Sequence, residues 1–139
     1  MSLTIEIHSF SYKKGGIPQD HSGNGGGFCF DCRGILNPGR IEEFKIQTGQ
    51  EIGVQEFLEQ KTKMPEFLEG VKNIISITIE DYIARNFEHL QINFGCTGGQ
   101  HRSVYSAEKI ADFVKNKFPE VEVKLFHDEQ PQLKVQNRI

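Results

Sequence analysis

One nine-residue segment combines the residue types that bind an anion. It reads Gly95-Cys96-Thr97-Gly98-Gly99-Gln100-His101-Arg102-Ser103. A short apolar run, residues 90–94, precedes it, and a helical pattern of apolar residues from Val104 to Val114 follows it. This order predicts a strand, a glycine turn and the N-terminus of a helix.

Such a junction favours a bound anion, most often a phosphate. The first N–H groups of a helix lack intrahelical partners, and the helix dipole adds partial positive charge there. Arg102 supplies a planar guanidinium that matches phosphate oxygens. His101 is placed to donate a charged hydrogen bond or to titrate when the anion binds. The alternative is a plain strand-to-helix connection capped by Ser or Thr, and we favour the anion site.

The rest of the chain predicts elements that place this segment at the edge of a sheet. Alternating or apolar runs predict strands at residues 3–10, 28–32, 90–94 and 120–127, the second of them buried. Helices are expected around residues 54–58 and over 67–83, where Pro65 suits the first turn. The β-branched residues 74–79 also fit a strand, but their spacing favours the helix.

Strands separated by helices predict an α/β fold, with a mostly parallel sheet of about four strands and crossover helices. We expect residues 1–139 to form a single domain with a mobile glycine-rich loop at 22–27 and a tail at 128–139. Ligands of open α/β sheets lie beyond the carboxyl ends of the strands. Ser9, Asp31 and Arg33 follow strands in this way, so they are expected to converge with the glycine segment.

Composition limits the classes of partner. The chain has 139 residues and a net charge of −3, which is the wrong sign for a protein whose whole surface binds nucleic acid. Three cysteines, an odd number, argue against a disulfide framework as the basis of the fold. We find no apolar stretch of membrane-spanning length and no signal-peptide pattern at the start. These features predict a cytoplasmic protein without membrane contact.

A second hypothesis is enzymatic. Cys96 and Arg102 stand in the C-x5-R arrangement of cysteine phosphatases, in which a thiolate attacks phosphorus and the arginine holds the oxygens. Asp31 would then be the general acid, with Asp81 and Asp128 as further candidates. Gly95 stands where such phosphatases usually have histidine, so this hypothesis is the alternative to plain binding.

Two other patterns indicate no further chemistry. Cys29 and Cys32 form a C-x-x-C, but flanking phenylalanines favour small core side chains over a redox pair or half a zinc site. The glycines from Gly34 to Gly39 lack the Lys-Ser that follows them in a nucleotide-hydrolysing P-loop. We therefore expect neither a metal nor a cofactor.

Beyond these patterns, the chain resembles the C-terminal domain of the RapZ family, bacterial proteins also called RNase adapters. The resemblance is strongest from Gly95 to Tyr105 and continues through Ala107-Glu108 and Ala111-Asp112. Shorter matches occur in order at Ser9-Phe10, Tyr12-Lys13, Gly16-Ile17-Pro18, Phe30-Asp31-Cys32-Arg33, Leu36-Asn37-Pro38 and Thr48-Gly49. The similarity extends to about residue 128.

The resemblance implies an α/β domain that senses glucosamine-6-phosphate, binds small regulatory RNAs and helps to present them to an endoribonuclease. The matching positions imply a sugar-phosphate pocket formed by Asp31, Cys96, Gly98, Gly99, His101 and Arg102, with Lys13, Arg33 and Asn37 near it. Together with Thr97 and Ser103 of the glycine segment, Arg33, Asn37 and the six pocket residues are the expected ligand-binding residues. Candidate RNA contacts are Lys13, Lys14 and Arg40. Full-length members carry an N-terminal P-loop ATPase domain that this sequence lacks, so such a domain is a candidate partner, as is a ribonuclease. RNA-binding members end in a basic run, whereas residues 126–131 here are acidic and polar.

Overall fold

The computed structural model describes residues 2–137. The elements in chain order are β1 (Thr4–Ser11), β2 (Phe28–Asp31), α1 (Ile52–Lys61), α2 (Met64–Ala84), β3 (His89–Cys96), α3 (Arg102–Lys117) and β4 (Glu122–His127). Two single-turn 3-10 helices, Pro38–Arg40 and Glu42–Phe44, lie between β2 and α1.

The four strands form one parallel sheet in the order β2-β3-β1-β4. The connection from β2 to β3 contains α1 and α2, and the connection from β3 to β4 contains α3, as expected for crossovers between parallel strands. The predicted α/β fold with about four strands is therefore confirmed. None of the helices within residues 2–137 is long and apolar enough to cross a membrane.

Residues 74–79 are helical, as their spacing predicts. Leu68, Val71, Ile75 and Ile79 recur at three and four residues and are all buried on one face of α2.

The last strand, β4, begins at Glu122 and not at Glu120, where the sequence predicts its start. The N–H of Val121 donates to the carbonyl of Phe118, so residues 118–121 form a turn after α3.

The core lies between the helices and one face of the sheet. Ile5 and Ile7 of β1 and Ile92 of β3 are fully buried, and α3 contributes Ile110 and Val114. On the opposite face of β1, Thr4, Glu6 and His8 are polar and partly exposed, whereas Phe10 near the end of the strand is buried. This face therefore carries hydrophilic residues, unlike the sheets of α/β proteins that have helices on both sides.

The two cysteines of the C-x-x-C differ in burial, and this corrects the prediction of two core cysteines. Cys29 is exposed, because it alternates along β2 with Phe28 and Phe30, which pack against the core, and so lies on the opposite face of the sheet. Cys32, just beyond the strand, is buried, and its Sγ lies 3.6 Å from Ser106 Oγ. Burial raises the pKa of the Cys32 thiol to about 12, so only this cysteine has the predicted inert core role.

Hydrogen bonds hold both the glycine-rich loop and the tail against the rest of the domain. In the loop, the carboxylate of Asp20 accepts the N–H groups of Ser22 and Gly26, and Nδ2 of Asn24 donates to the carbonyl of His89 in β3 at 3.0 Å. In the tail, Glu129 accepts the N–H of Gly15, and Val135 packs against the core. Residues 138 and 139 of the predicted tail, and Met1, lie outside the described residues.

His8 gives the fold a measurable pH dependence. Its Nδ1 lies 2.9 Å from Asp128 Oδ1 and its Nε2 lies 3.2 Å from Glu6 Oε1. Burial by itself disfavours the charged ring, but the hydrogen bonds and negative charges of Asp128 and Glu6 outweigh it and raise the pKa of His8 above 6.5. The charged ring therefore stabilises the fold fully below about pH 6.5, and this contribution is lost as the pH rises through the raised pKa.

We expect the His8→Gln variant to lose stability relative to the wild type at pH 6 and to lose less at pH 8. The carboxylates of Asp128 and Glu6 are about one-third exposed (33% and 30%), so solvent screening keeps the pH-dependent difference below about 1 kcal/mol. Urea unfolding of both proteins at the two pH values measures it. A difference that does not change with pH would contradict the assignment, because the other four histidines are common to both chains.

Candidate anion-binding site

The predicted glycine segment lies between β3 and α3, at the carboxyl edge of the sheet. β3 ends at Cys96 and α3 begins at Arg102. Gly99 has a φ of +67°, a conformation that side-chain-bearing residues rarely adopt. Ser11, at the end of β1, donates its Oγ–H to the carbonyl of Thr97 at 2.5 Å and so anchors the start of the turn. The neighbouring strand thus holds the turn in place.

The N-terminus of α3 has no side-chain cap within residues 2–137. His101 is the N-cap residue, and its side chain makes no capping hydrogen bond. The Ser or Thr cap of the alternative prediction is therefore wrong, because His101 stands at the N-cap position. An uncapped N-terminus leaves helical N–H donors and the positive end of the dipole available to an anion.

A cavity of about 240 Å³ opens in front of this turn. Its volume suits a small metabolite and is below the range typical of drug-sized ligands. The residues that line it come from the glycine segment and from the connection between β2 and α1: Asn37, Gly39, Lys45, Cys96, Thr97, Gly98, Gln100, His101 and Arg102.

Arg102 is buried at the wall of this cavity, with only 4% of its surface exposed. Its Nη1 donates to the carbonyls of Ile35 at 2.7 Å and Arg33 at 3.1 Å, which fixes the guanidinium. Its Nε is buried and has no hydrogen-bond partner among the described residues. A buried donor without an acceptor is costly, so the guanidinium is prepared for an oxygen that a ligand would bring.

His101 is held as a neutral ring. Its Nε2 lies 2.8 Å from the carbonyl of Phe44, and since a carbonyl only accepts, Nε2 carries the proton. Burial lowers the pKa of His101, and the nearby charge of Arg102 lowers it further, which outweighs the effect of the Phe44 hydrogen bond. Nδ1 is therefore an acceptor. In the neutral ring, Nδ1 suits a hydroxyl or an amine, whereas the charged hydrogen bond or the titration on anion binding that the sequence suggests stays a prediction.

Cys96 and Ser103 form a buried pair below the turn. Cys96 lines the cavity, is 2% exposed and donates its thiol to Ser103 Oγ at 3.1 Å. Ser103 is fully buried and does not line the cavity. Gly99 also faces elsewhere, because a side chain there would meet Glu129 of the tail. These last two residues shape the turn and do not form the cavity wall.

Asp31 and Arg33 lie beside the cavity and not in its wall. Arg33 donates to both carboxylate oxygens of Asp31, with Nη2 at 2.7 Å from Oδ2, and both side chains are about half exposed. The hydrogen bonds from Arg33 hold the pKa of Asp31 below its usual range, with further help from the charges of Arg33 and Arg102. The guanidinium of Arg33 also lies 3.8 Å from the ring centroid of Tyr12.

The other two candidate acids of the phosphatase hypothesis are engaged elsewhere. Asp81 pairs with Arg85 on the outer surface of α2, and Asp128 pairs with His8. Neither lines the cavity, nor does Asp31. The predicted nucleophile therefore lies at the cavity without any of its predicted proton donors.

The candidate RNA contacts Lys13, Lys14 and Arg40 have exposed side chains. The backbone N–H groups of the two lysines donate to Ser11 Oγ, so both follow directly on the end of β1. Arg40 ends the first 3-10 helix. Their contact with RNA stays a prediction.

The sequence does not predict three of the residues that line the cavity: Gly39, Lys45 and Gln100. Gln100 belongs to the glycine segment, so its place in the sequence could have identified it as a candidate cavity residue. Lys45 lies in residues 41–47, which show no helical or strand periodicity, and only the folded chain brings it to the cavity. Asn37, Thr97 and Gly98 lie in the cavity wall, together with Cys96, His101 and Arg102.

Comparison with known proteins places the chain in a family. The sequence model of the RapZ C-terminal domain matches residues 3–131, almost the whole chain. The chain belongs to the RapZ C-terminal domain family. The glycine segment of the site falls entirely within the matched RapZ region.

Curated relatives of this RapZ domain are described as nucleotide-binding proteins. One from Endomicrobium trichonymphae is 38% identical over 125 residues, which is 90% of this chain and 41% of the relative. Another from Thermosipho africanus is 35% identical over 114 residues, 82% of this chain and 39% of the relative. One from Cereibacter sphaeroides is 35% identical over 106 residues, 76% of this chain and 33% of the relative. The chain thus spans about two fifths or less of these proteins.

Proposed function

We propose that this domain is a regulatory module that binds a phosphorylated sugar, of the amino-sugar phosphate class represented by glucosamine-6-phosphate. The observation that carries the proposal is the buried guanidinium of Arg102, which has an unpartnered Nε and lies at the uncapped N-terminus of α3. Both features favour the same ligand chemistry, a compact anion with several acceptor oxygens.

The phosphate would bind against the turn. One edge of the Arg102 guanidinium is fixed by the carbonyls of Arg33 and Ile35, so the arginine is oriented before the ligand arrives. The remaining donors can then meet phosphate oxygens with little loss of side-chain entropy. At Gly98, a side chain would meet nothing within 4 Å, which leaves open space beside the turn for the ligand.

The sugar would bind to the neutral polar groups of the wall. Nδ1 of His101 is an acceptor for a hydroxyl or an ammonium group. The Oδ1 of Asn37 already accepts the N–H of Gly39, so the amide nitrogen is its remaining polar group. An amine that reached Asp31 would have to displace Arg33 from the carboxylate. The wall therefore favours hydroxyl recognition, with Asp31 as an outer contact for the amine.

Binding fits the site better than phosphatase chemistry does. A phosphatase needs an acid to protonate the leaving oxygen, and none of the three candidate aspartates lines the cavity. Cys96 donates its thiol to Ser103, which makes it part of the support of the turn. We therefore propose a sensory role for the cavity and leave Cys96 as a wall residue.

Calorimetric titration of the wild-type domain tests this function. We expect glucosamine-6-phosphate to bind, inorganic phosphate to bind more weakly at the same site, and glucosamine to give no measurable heat, because the phosphate group makes the charged contacts. Displacement of phosphate by the sugar phosphate would confirm that they share the cavity. Equal binding of glucosamine, or no binding of any phosphate, would overturn the proposal.

A further inference from the structure

A short segment between the second 3-10 helix and α1 is fastened directly to the glycine turn. We call residues 44–49 the strap. Gln100 donates its Nε2 to the carbonyls of Lys45 at 2.8 Å and Gln47 at 2.7 Å. His101 donates to the carbonyl of Phe44 at 2.8 Å, and the N–H of Gly49 donates to the carbonyl of Gln100 at 3.0 Å. Two consecutive residues of the turn thus hold the whole strap.

This fastening places Lys45 at the cavity. Lys45 is among the residues that line the cavity. Its backbone is fixed through the carbonyl that Gln100 holds, while its side chain is 56% exposed. The ammonium Nζ lies 3.0 Å from Glu42 Oε2, in a pair whose carboxylate is 87% exposed. An exposed pair of this kind is weak and exchanges readily with solvent.

The charge of the expected ligand exceeds what Arg102 can balance. A phosphomonoester carries about −1.5 to −2 charges at pH 7. Of the residues that line the cavity, Arg102 and Lys45 are the cationic ones, since His101 is held neutral. The flexible stem of lysine can follow a phosphate without the geometric demands of an arginine fork.

We infer that Lys45 is the second cationic contact of the bound phosphate and that Glu42 competes with the ligand for it. On this inference, which rests on the proposed function, a doubly charged phosphate draws the ammonium of Lys45 from Glu42 to its own oxygens. Gln100 and His101 are positioning residues for this contact, because they hold the strap that carries Lys45.

The competition predicts opposite effects of two neutral substitutions. Lys45→Gln should weaken glucosamine-6-phosphate binding about three- to fivefold, and Glu42→Gln should strengthen it, because the competing carboxylate is gone. The loss caused by Lys45→Gln should be smaller for glucosamine-6-sulfate, which carries one negative charge on the same frame. Calorimetry at one fixed low ionic strength measures these five affinities, three for the phosphate and two for the sulfate.

Lys63 and Glu66 provide a matched control. They form the same kind of exposed i,i+3 pair, with Nζ 3.7 Å from Oε1, at the start of α2 and outside the cavity lining. Lys63→Gln and Glu66→Gln should leave both affinities unchanged. The role of Lys45 is refuted, and the proposed function is not, if the wild type binds the sugar phosphate and Lys45→Gln binds it equally well. The same holds if Glu42→Gln binds it more weakly than the wild type. If the wild type binds no phosphate, the proposed function is refuted and the inference with it.

Discussion

Replacing Arg102 with alanine is expected to lower the affinity for glucosamine-6-phosphate at least tenfold. A hydrogen bond between charged groups contributes about 1.5–3 kcal/mol, and the guanidinium is buried and already oriented by two carbonyls. Arg102→Lys keeps the charge but loses the fork, so it should recover only part of the affinity. Isothermal calorimetry with the two variants and the wild type measures the loss.

The alanine variant needs a stability check, because Arg102 also holds the chain at Arg33 and Ile35. Removing it leaves two carbonyls without this donor, so some loss of stability is expected. Thermal unfolding establishes the temperature at which the variant is still folded and can be titrated. Arg85→Ala is the control for the loss of an arginine, since Arg85 is about half exposed and pairs with Asp81 on α2. A folded Arg102→Ala protein with wild-type affinity would refute the phosphate contact.

The second large effect is expected at Gly49. A Cβ on this residue would lie 2.5 Å from the carbonyl oxygen of His101 and in still closer contact with the backbone nitrogen of Tyr105. These two atoms form a hydrogen bond in the first turn of α3. Backbone atoms cannot move aside as a flexible side chain can. Gly49→Ala should therefore destabilise the domain by about 1–3 kcal/mol and weaken phosphate binding, because the strap and the helix N-terminus are pushed apart. Urea unfolding and calorimetry give the two values.

Gly70→Ala is the matched control for that substitution. Gly70 is exposed within α2, and a Cβ there would meet nothing within 4 Å. The same chemical change should raise the free energy of unfolding by about 0.5–1 kcal/mol, because alanine has the higher helix propensity and restricts the unfolded chain. Its phosphate affinity should not change. Equal stability effects at the two glycines would show that Gly49 is not a packing contact.

Local patterns were sufficient to predict the elements. The three- and four-residue spacing of Leu68, Val71, Ile75 and Ile79 indicates α2 despite its β-branched residues, because one face of the helix must be apolar to pack. The glycine turn before Arg102 is recognisable for the same kind of reason: glycine, polar residues and a following helical period occur together within a few residues. Such signals depend on neighbours in sequence.

Side-chain environments depend on strands and loops that are distant in sequence. Cys29 and Cys32 look alike in the sequence, yet Cys29 is exposed on the face of the sheet opposite the core, whereas Cys32, just beyond β2, is buried against Ser106 of α3. The ring of His101 looks like a charged donor in the sequence, but burial in the folded domain and the nearby charge of Arg102 lower its pKa. The carbonyl that accepts the hydrogen bond of its Nε2 belongs to Phe44, 57 residues away in the chain.

The sequence by itself determined the class of the site: a strand, a glycine turn and a helix N-terminus with an arginine suited to a phosphate. Only the tertiary structure decided which groups face the cavity. In the folded chain, Asp31 pairs with Arg33 and does not line the cavity wall. Lys45 lies at the cavity because Gln100 holds its carbonyl. The physical reason is that helix and turn formation is governed by contacts within a few residues, whereas charge partners and burial are set by whichever segments the sheet order brings together.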